Sequence, residues 1–120
     1  MQVYDVELND QAQAETEQAY FSLSSRLGLE KVRDWYDTLL GEVSDKLSYL
    51  PKRYQMSEDG CAAYPGIEVR QYLSGNGGSA WRIYYHIIEP RSEEEQGVVR
   101  ILRVRHAAMR PLGQAAEGDL

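Results

Sequence analysis

A chain of 120 residues, with 42% hydrophobic and 27% charged side chains, has material for one domain with one packed core and too little for two. Its one cysteine, Cys61, excludes an internal disulfide framework and reads as a free thiol in a reducing compartment. The net charge of −6 argues against a general nucleic-acid binder, yet the average conceals a split: residues 1–63 carry 6 basic and 12 acidic side chains, residues 64–112 carry 7 and 5. No apolar run approaches the ~20 residues of a membrane-spanning helix. Residues 1–5 lack the basic-then-apolar order of a secretory leader, so the expected place is the cytoplasm, with no membrane partner.

Residues 2–8 alternate, with Tyr4, Val6 and Leu8 opposite Val3, Asp5 and Glu7, which predicts a short strand. Asn9 or Asp10 caps a helix from residue 11 to about 23, where Ala12, Ala19, Tyr20 and Leu23 recur at helical spacing. Residues 24–28 read as a break between helices, with Gly28 as the cap. A second helix follows with one apolar stripe of Val32, Trp35, Tyr36, Leu39, Leu40, Val43, Leu47 and Leu50, and Pro51 stops it. Residues 52–65 read as irregular, with turn signals at Asp59-Gly60 and Pro65-Gly66.

Three strands are predicted next. In residues 67–73, Ile67, Val69 and Leu73 face in while Glu68, Arg70 and Tyr72 face out. Residues 74–79 form a glycine-rich hairpin loop. In residues 81–88, Trp81, Ile83, Tyr85 and Ile87 share one face and Arg82, Tyr84, His86 and Ile88 the other. Residues 90–97 make a long loop in which Glu93, Glu94 and Glu95 are solvated. In residues 98–106, Val98, Leu102, Val104 and His106 fall on one parity, with Arg100 as an exception, and Val99, Ile101, Arg103 and Arg105 on the other. Residues 113–120 read as a flexible acidic tail, leaving 1–112 as the domain.

The fold class is therefore α+β: an N-terminal strand, a two-helix hairpin, then a three-stranded antiparallel meander, with the helices on one face of the sheet. The first strand can join that sheet in its middle or at its edge. The other face carries Arg70, Tyr72, Arg82, Tyr84, His86, Arg103 and Arg105, a basic surface on an acidic body. Arg70, Arg82 and Arg105 can stabilise phosphate charge through planar forks. His86 or His106 can move protons, Tyr72 or Tyr84 can stack on an unpaired base, and Arg103 and Arg110 add charge for a target. His106 shares its parity with Leu102 and Val104, which reads as a hydrogen-bonded residue at the core's edge. The bland alternative is that any one-sided antiparallel sheet shows such side chains to water. The glycines of 74–79 are not followed by Lys-Ser/Thr, so they are no phosphate loop, and the absence of CxxC and HExxH leaves no metal site. Nothing in the sequence calls for a cofactor.

Three short signatures stand in order: Gly66-Ile67-Glu68-Val69-Arg70, Trp81-Arg82-Ile83-Tyr84-Tyr85 and Ile101-Leu102-Arg103-Val104-Arg105-His106, with Leu47 to Pro51 closing the helical hairpin. Over about residues 3–110 they resemble the RelE/ParE superfamily of bacterial type II toxin–antitoxin toxins. The resemblance implies a small growth-inhibiting toxin wrapped by a cognate antitoxin. It implies one of two activities: cleavage of messenger RNA on the ribosome, or poisoning of DNA gyrase. It places Arg82 on the family's third-strand arginine, Arg70 on a strand with basic residues, and Arg105-His106 at the functional end of the last strand. The sequence departs from the ribonuclease pattern in having no lysine after Lys52 and no tyrosine after His106, and its Val-Arg-His ending resembles the ParE-type branch. Whether the chain is an enzyme is left open by this. A non-toxic binding module of the same fold is the alternative.

Overall fold

The computed structural model describes residues 3–75, 80–107, 109 and 112; Arg110, the tail 113–120 and residues 76–79 of the predicted hairpin loop lie outside the described residues. The element order is β1 (Asp5–Leu8), α1 (Asp10–Leu27), α2 (Leu29–Leu47), a 3-10 turn (Pro51–Arg53), α3 (Glu58–Ala63), β2 (Arg70–Ser74), β3 (Trp81–Ile88) and β4 (Val98–His106). The class is α+β, as the sequence predicts, with one helix that it does not.

Local chemistry sets these boundaries. The Asn9 carboxamide oxygen accepts the Ala12 N–H at 2.8 Å and opens α1. Gly28, at φ 88°, ends α1 and begins α2, a conformation that costs a side-chain-bearing residue free energy. The 3-10 turn starts from Leu50 in the left-handed region at φ 46°, and Pro51 takes its first position. Residues 52–65 are more regular than expected. Ser57 caps α3 by accepting the Gly60 N–H at 3.0 Å, with Glu58 and Asp59 in the first turn. A Cβ on Gly60 would stand 2.6 Å from Val69 Cγ1, so only glycine lets α3 approach the sheet this closely.

The four strands run in the order β1-β4-β3-β2. β1 settles at the edge and runs parallel to β4, pairing Asp5 with Val98 and Leu8 with Ile101. β2–β3 and β3–β4 are antiparallel. Between the β3–β4 pairs Tyr84–Arg103 and Tyr85–Ile101, β4 carries one extra residue, Leu102. This bulge switches the parity of β4. It explains the Arg100 exception: Arg100 and Leu102 before the switch, and Arg105 after it, lie on the Tyr84 face of the sheet, while Arg103, paired with Tyr84, reaches Glu15 of α1.

The main core lies between α1–α2 and the sheet, and includes Ala12, Leu39, Val43, Leu47, Tyr72, Ile83, Tyr85, Val99, Ile101 and Val104. Tyr85 is fully buried and donates its hydroxyl hydrogen bond to the Pro51 carbonyl at 2.6 Å. A second, smaller core lies on the opposite face, where Val69, Tyr84, Leu102 and Leu112 pack with Cys61 and Tyr64. Apolar residues are therefore buried on both faces of the sheet, and this undoes the predicted facing of β2. Tyr72 turns inward, while Leu73 on the other face is half exposed.

Candidate functional site

On the face away from α1 and α2, β3 and β4 set their side chains in cross-strand rungs. Arg82 stands opposite Arg105, Tyr84 opposite Arg103, and His86 opposite Arg100. On the other flank of β3, Leu73 stands opposite Arg82 and Gln71 opposite Tyr84. Of the residues expected on this face, Arg82, Tyr84, His86, Arg103 and Arg105 stand there with α3 and Leu112 over its centre, whereas Arg70 and Tyr72 stand on the helix side, opposite Tyr85 and Ile83.

Arg82 is half-buried, and its Nε is fully buried with no hydrogen-bond partner among the described residues. An unpartnered buried nitrogen is destabilising, while elsewhere on the same guanidinium Arg82 interacts with the Tyr84 hydroxyl. Arg105, its cross-strand neighbour, is 5% exposed. Arg82 opens onto a cavity of about 680 Å³ lined also by Gln55, Ser57, Glu58, Asp59, Gln71 and Leu112. The cavity mixes a cation and amides with two carboxylates.

Asp59 organises this cavity. Ser57 donates to its Oδ1 at 2.6 Å, and the Tyr84 hydroxyl and the Leu112 N–H both donate to its Oδ2 at 2.9 Å. Burial pushes its carboxyl up, but these hydrogen bonds and that of the Gly60 N–H prevail and hold it below the usual carboxylate range. Burial and then the Asp59 carboxylate push the Tyr84 phenol above its ordinary value, against the opposing Arg82 charge. Tyr84 is therefore held as a neutral donor, fully buried and closed to base stacking.

The remaining predicted residues are drawn elsewhere. Tyr72 lies in the helix-side core, edge to face with Tyr54 at 4.9 Å, and burial followed by Glu42 raises its hydroxyl to about 12. Arg70 stands opposite Tyr85 and donates through Nη1 to the carbonyls of Lys52 and Tyr54 at 3.2 and 2.7 Å, tying down the 3-10 turn. His86 lies four residues along β3 from Arg82, about 13 Å at strand rise, and its Nδ1 meets the Glu68 carbonyl at 2.9 Å; a carbonyl only accepts, so Nδ1 carries the proton. His106 packs edge to face on Trp81 at 5.2 Å, at the rim of the groove between α1 and the sheet. Arg103 is clamped by Glu15 of α1, with its Nη2 2.7 Å from Oε2, while Glu15 Oε1 accepts the Val104 N–H at 2.9 Å. That carboxylate, with burial opposing it, raises the already high Arg103 guanidinium further. Arg100 pairs with Glu7 on the exposed edge strand at 2.8 Å.

The structure thus brings Arg82, Arg105 and Tyr84 together and separates them from Arg70, Tyr72, His86 and His106. Asp59, Glu15 and Leu112 were not singled out by sequence. For Asp59 a signal exists: Ser57-Glu58-Asp59 is a cap followed by first-turn acids, a helix start hidden by the adjacent glycine.

No family model matches the chain, and no curated protein does. Among solved structures it is similar to a chain of one described as "Chromosomal ParDE TA system from P. aeruginosa", with a TM-score of 0.62 and 16% identity, over 87% of this chain and 96% of that one. The fold of this chain, strand, helical hairpin and sheet, is ParE-like.

Proposed function

We propose that this chain is the toxin of a type II toxin–antitoxin pair, that it inhibits growth by binding DNA gyrase, and that a cognate antitoxin silences it in the cytoplasm. The observation that carries the toxin reading is the extent of the fold likeness, which leaves little of either chain unmatched. The make-up of the arginine face favours a protein target over RNA cleavage. Cleavage through a ribose hydroxyl needs a base, a charge stabiliser and an acid within reach of one phosphate. Here the stabiliser, Arg82, stands with Glu58 and Asp59, carboxylates that repel a polyanion, while both histidines lie elsewhere. A mixed polar cavity with a buried arginine suits a protein surface. On this reading the chain is an inhibitor and not an enzyme.

The test is expression of the chain alone and together with the product of its neighbouring reading frame. Growth arrest with DNA-damage signalling, intact messages and relief by the neighbour is the expected result. Messages cut on ribosomes with gyrase untouched point to the ribonuclease activity. A stable complex without any growth effect points to the non-toxic binding module.

A further inference from the structure

Where α2 ends against the start of β1, the surface carries features that the arginine face does not use. Leu50 is the one non-glycine residue at positive φ among the described residues, at φ 46° and ψ 54°, and its side chain is 56% exposed. A left-handed leucine is strained, and an exposed one recovers nothing by burial. Beside it Tyr49 pairs with Val3 in an isolated bridge, and both side chains are 42% exposed. The charges flanking these three apolar side chains are opposite. On one flank Lys46 lies in the last turn of α2, Lys52 and Arg53 lie in the 3-10 turn, and Asp45 is the one acid in residues 44–55. Arg53 Nη2 donates to the Lys46 carbonyl at 3.2 Å, which holds the turn against the helix end. On the other flank Val3 lines a hollow with Glu93, Glu94 and Glu95, where Arg91 is the one base.

Tyr4 fixes both flanks to one frame. Its N–H donates to the Ser48 carbonyl at 2.8 Å, its ring lies against Gly97 too closely for any Cβ there, and its hydroxyl donates to Glu89 at 3.0 Å. Glu89 in turn pairs with Lys52 at 2.9 Å. A surface with an apolar middle and opposite charges on its flanks is complementary to itself under a two-fold rotation. We propose that Val3, Tyr49 and Leu50 form a self-association surface for a second copy of this chain, docked about a two-fold axis so that Lys46 and Arg53 of each copy meet the Glu93–Glu95 loop of the other. Three apolar anchors make a small interface, so the dimer is weak and concentration-dependent. This surface does not rest on the toxin reading.

The experiment is sedimentation equilibrium of the full chain in about 0.15 M salt, where screening beyond about 8 Å mutes the repulsion between two acidic copies and spares close pairs. The mass of the wild type is expected to rise from 13.7 kDa toward twice that value as its concentration approaches about 1 mM. Lys46→Glu and Glu94→Lys are each expected to weaken association at least about tenfold, the second even though it brings the net charge nearer zero. An equal mixture of these two variants is expected to associate as the wild type does, because each two-fold contact then regains opposite charges. Leu50→Gly suits the left-handed backbone, so it is expected to hold or raise the melting temperature while weakening association at least about tenfold. The proposal is overturned if the wild type stays monomeric throughout, if the mixture associates no better than either variant alone, or if Leu50→Gly associates as the wild type does. A monomeric wild type that binds a polyglutamate peptide through Lys46 also overturns it, and makes the patch a dock for an acidic partner.

Discussion

The two faces of the sheet hold their polar groups in different ways. Toward α1 and α2, buried polar groups are satisfied: the Tyr85 hydroxyl reaches the Pro51 carbonyl, Thr16 donates to the Ala12 carbonyl, and Glu15 takes both Arg103 and the Val104 N–H. Toward α3, Asp59 is over-supplied with donors, while Arg82 two residues from Tyr84 keeps a buried Nε with no partner among the described residues. The first face holds the domain together. The second holds a half-buried Arg82, one nitrogen of which has no partner among the described residues, beside a cavity that a target can reach.

That contrast is best broken from the helix side. Ile83→Ala, which empties a site 1% exposed at the centre of the main core, is expected to destabilise by ~3–4 kcal/mol; a urea melt measures it. Truncating Glu15 to alanine leaves Arg103 half-buried with its partner gone and the Val104 N–H unbound, an expected loss of ~3 kcal/mol in the same melt. Gly60→Ala drives a methyl into Val69 and is expected to cost ~1–3 kcal/mol, with α3 loosened from the sheet.

Acid sharpens the comparison through Asp59. Its folded-state carboxyl lies below the ordinary value, so its stabilisation is complete above the normal carboxylate range and is lost as the pH falls through the lowered folded-state value. Amide exchange at Leu112 is expected to accelerate in that acidic window before the main core opens, and in Asp59→Asn this pH dependence disappears. The smallest expected effects are at the arginines. Arg100→Ala removes an exposed pair worth less than ~1 kcal/mol. Arg82→Ala is expected to change stability by less than ~1 kcal/mol, since it relieves an unpaired buried nitrogen and loses the contact with the Tyr84 hydroxyl.

The order of elements was legible because the stripe on α2 and the alternation on β3 each serve one buried face. β2 and β4 were legible only in part. Val69 and Leu102 are as apolar as Tyr72 and Val104 but face the opposite way, because α3 supplies a second apolar layer that parity cannot announce. The bulge at Leu102 compounds this, since one extra residue reverses every later position on the strand. At the site, residue type pointed to Arg82 and Arg105 together. It also pointed to Arg70, Tyr72 and His106, whose partners are a turn's carbonyls, Glu42 with Tyr54, and Trp81. Those partners come from segments far apart in sequence, and no local pattern reports them.

The central claim is that the arginine face acts on a protein target and not on RNA. Supercoiling by purified gyrase, titrated with the wild-type chain and with folded Arg82→Ala, tests it most directly. The account predicts inhibition by the wild type and its loss in the variant. Gyrase left fully active by the wild-type chain, at concentrations where the same preparation cuts messages on translating ribosomes, would contradict it.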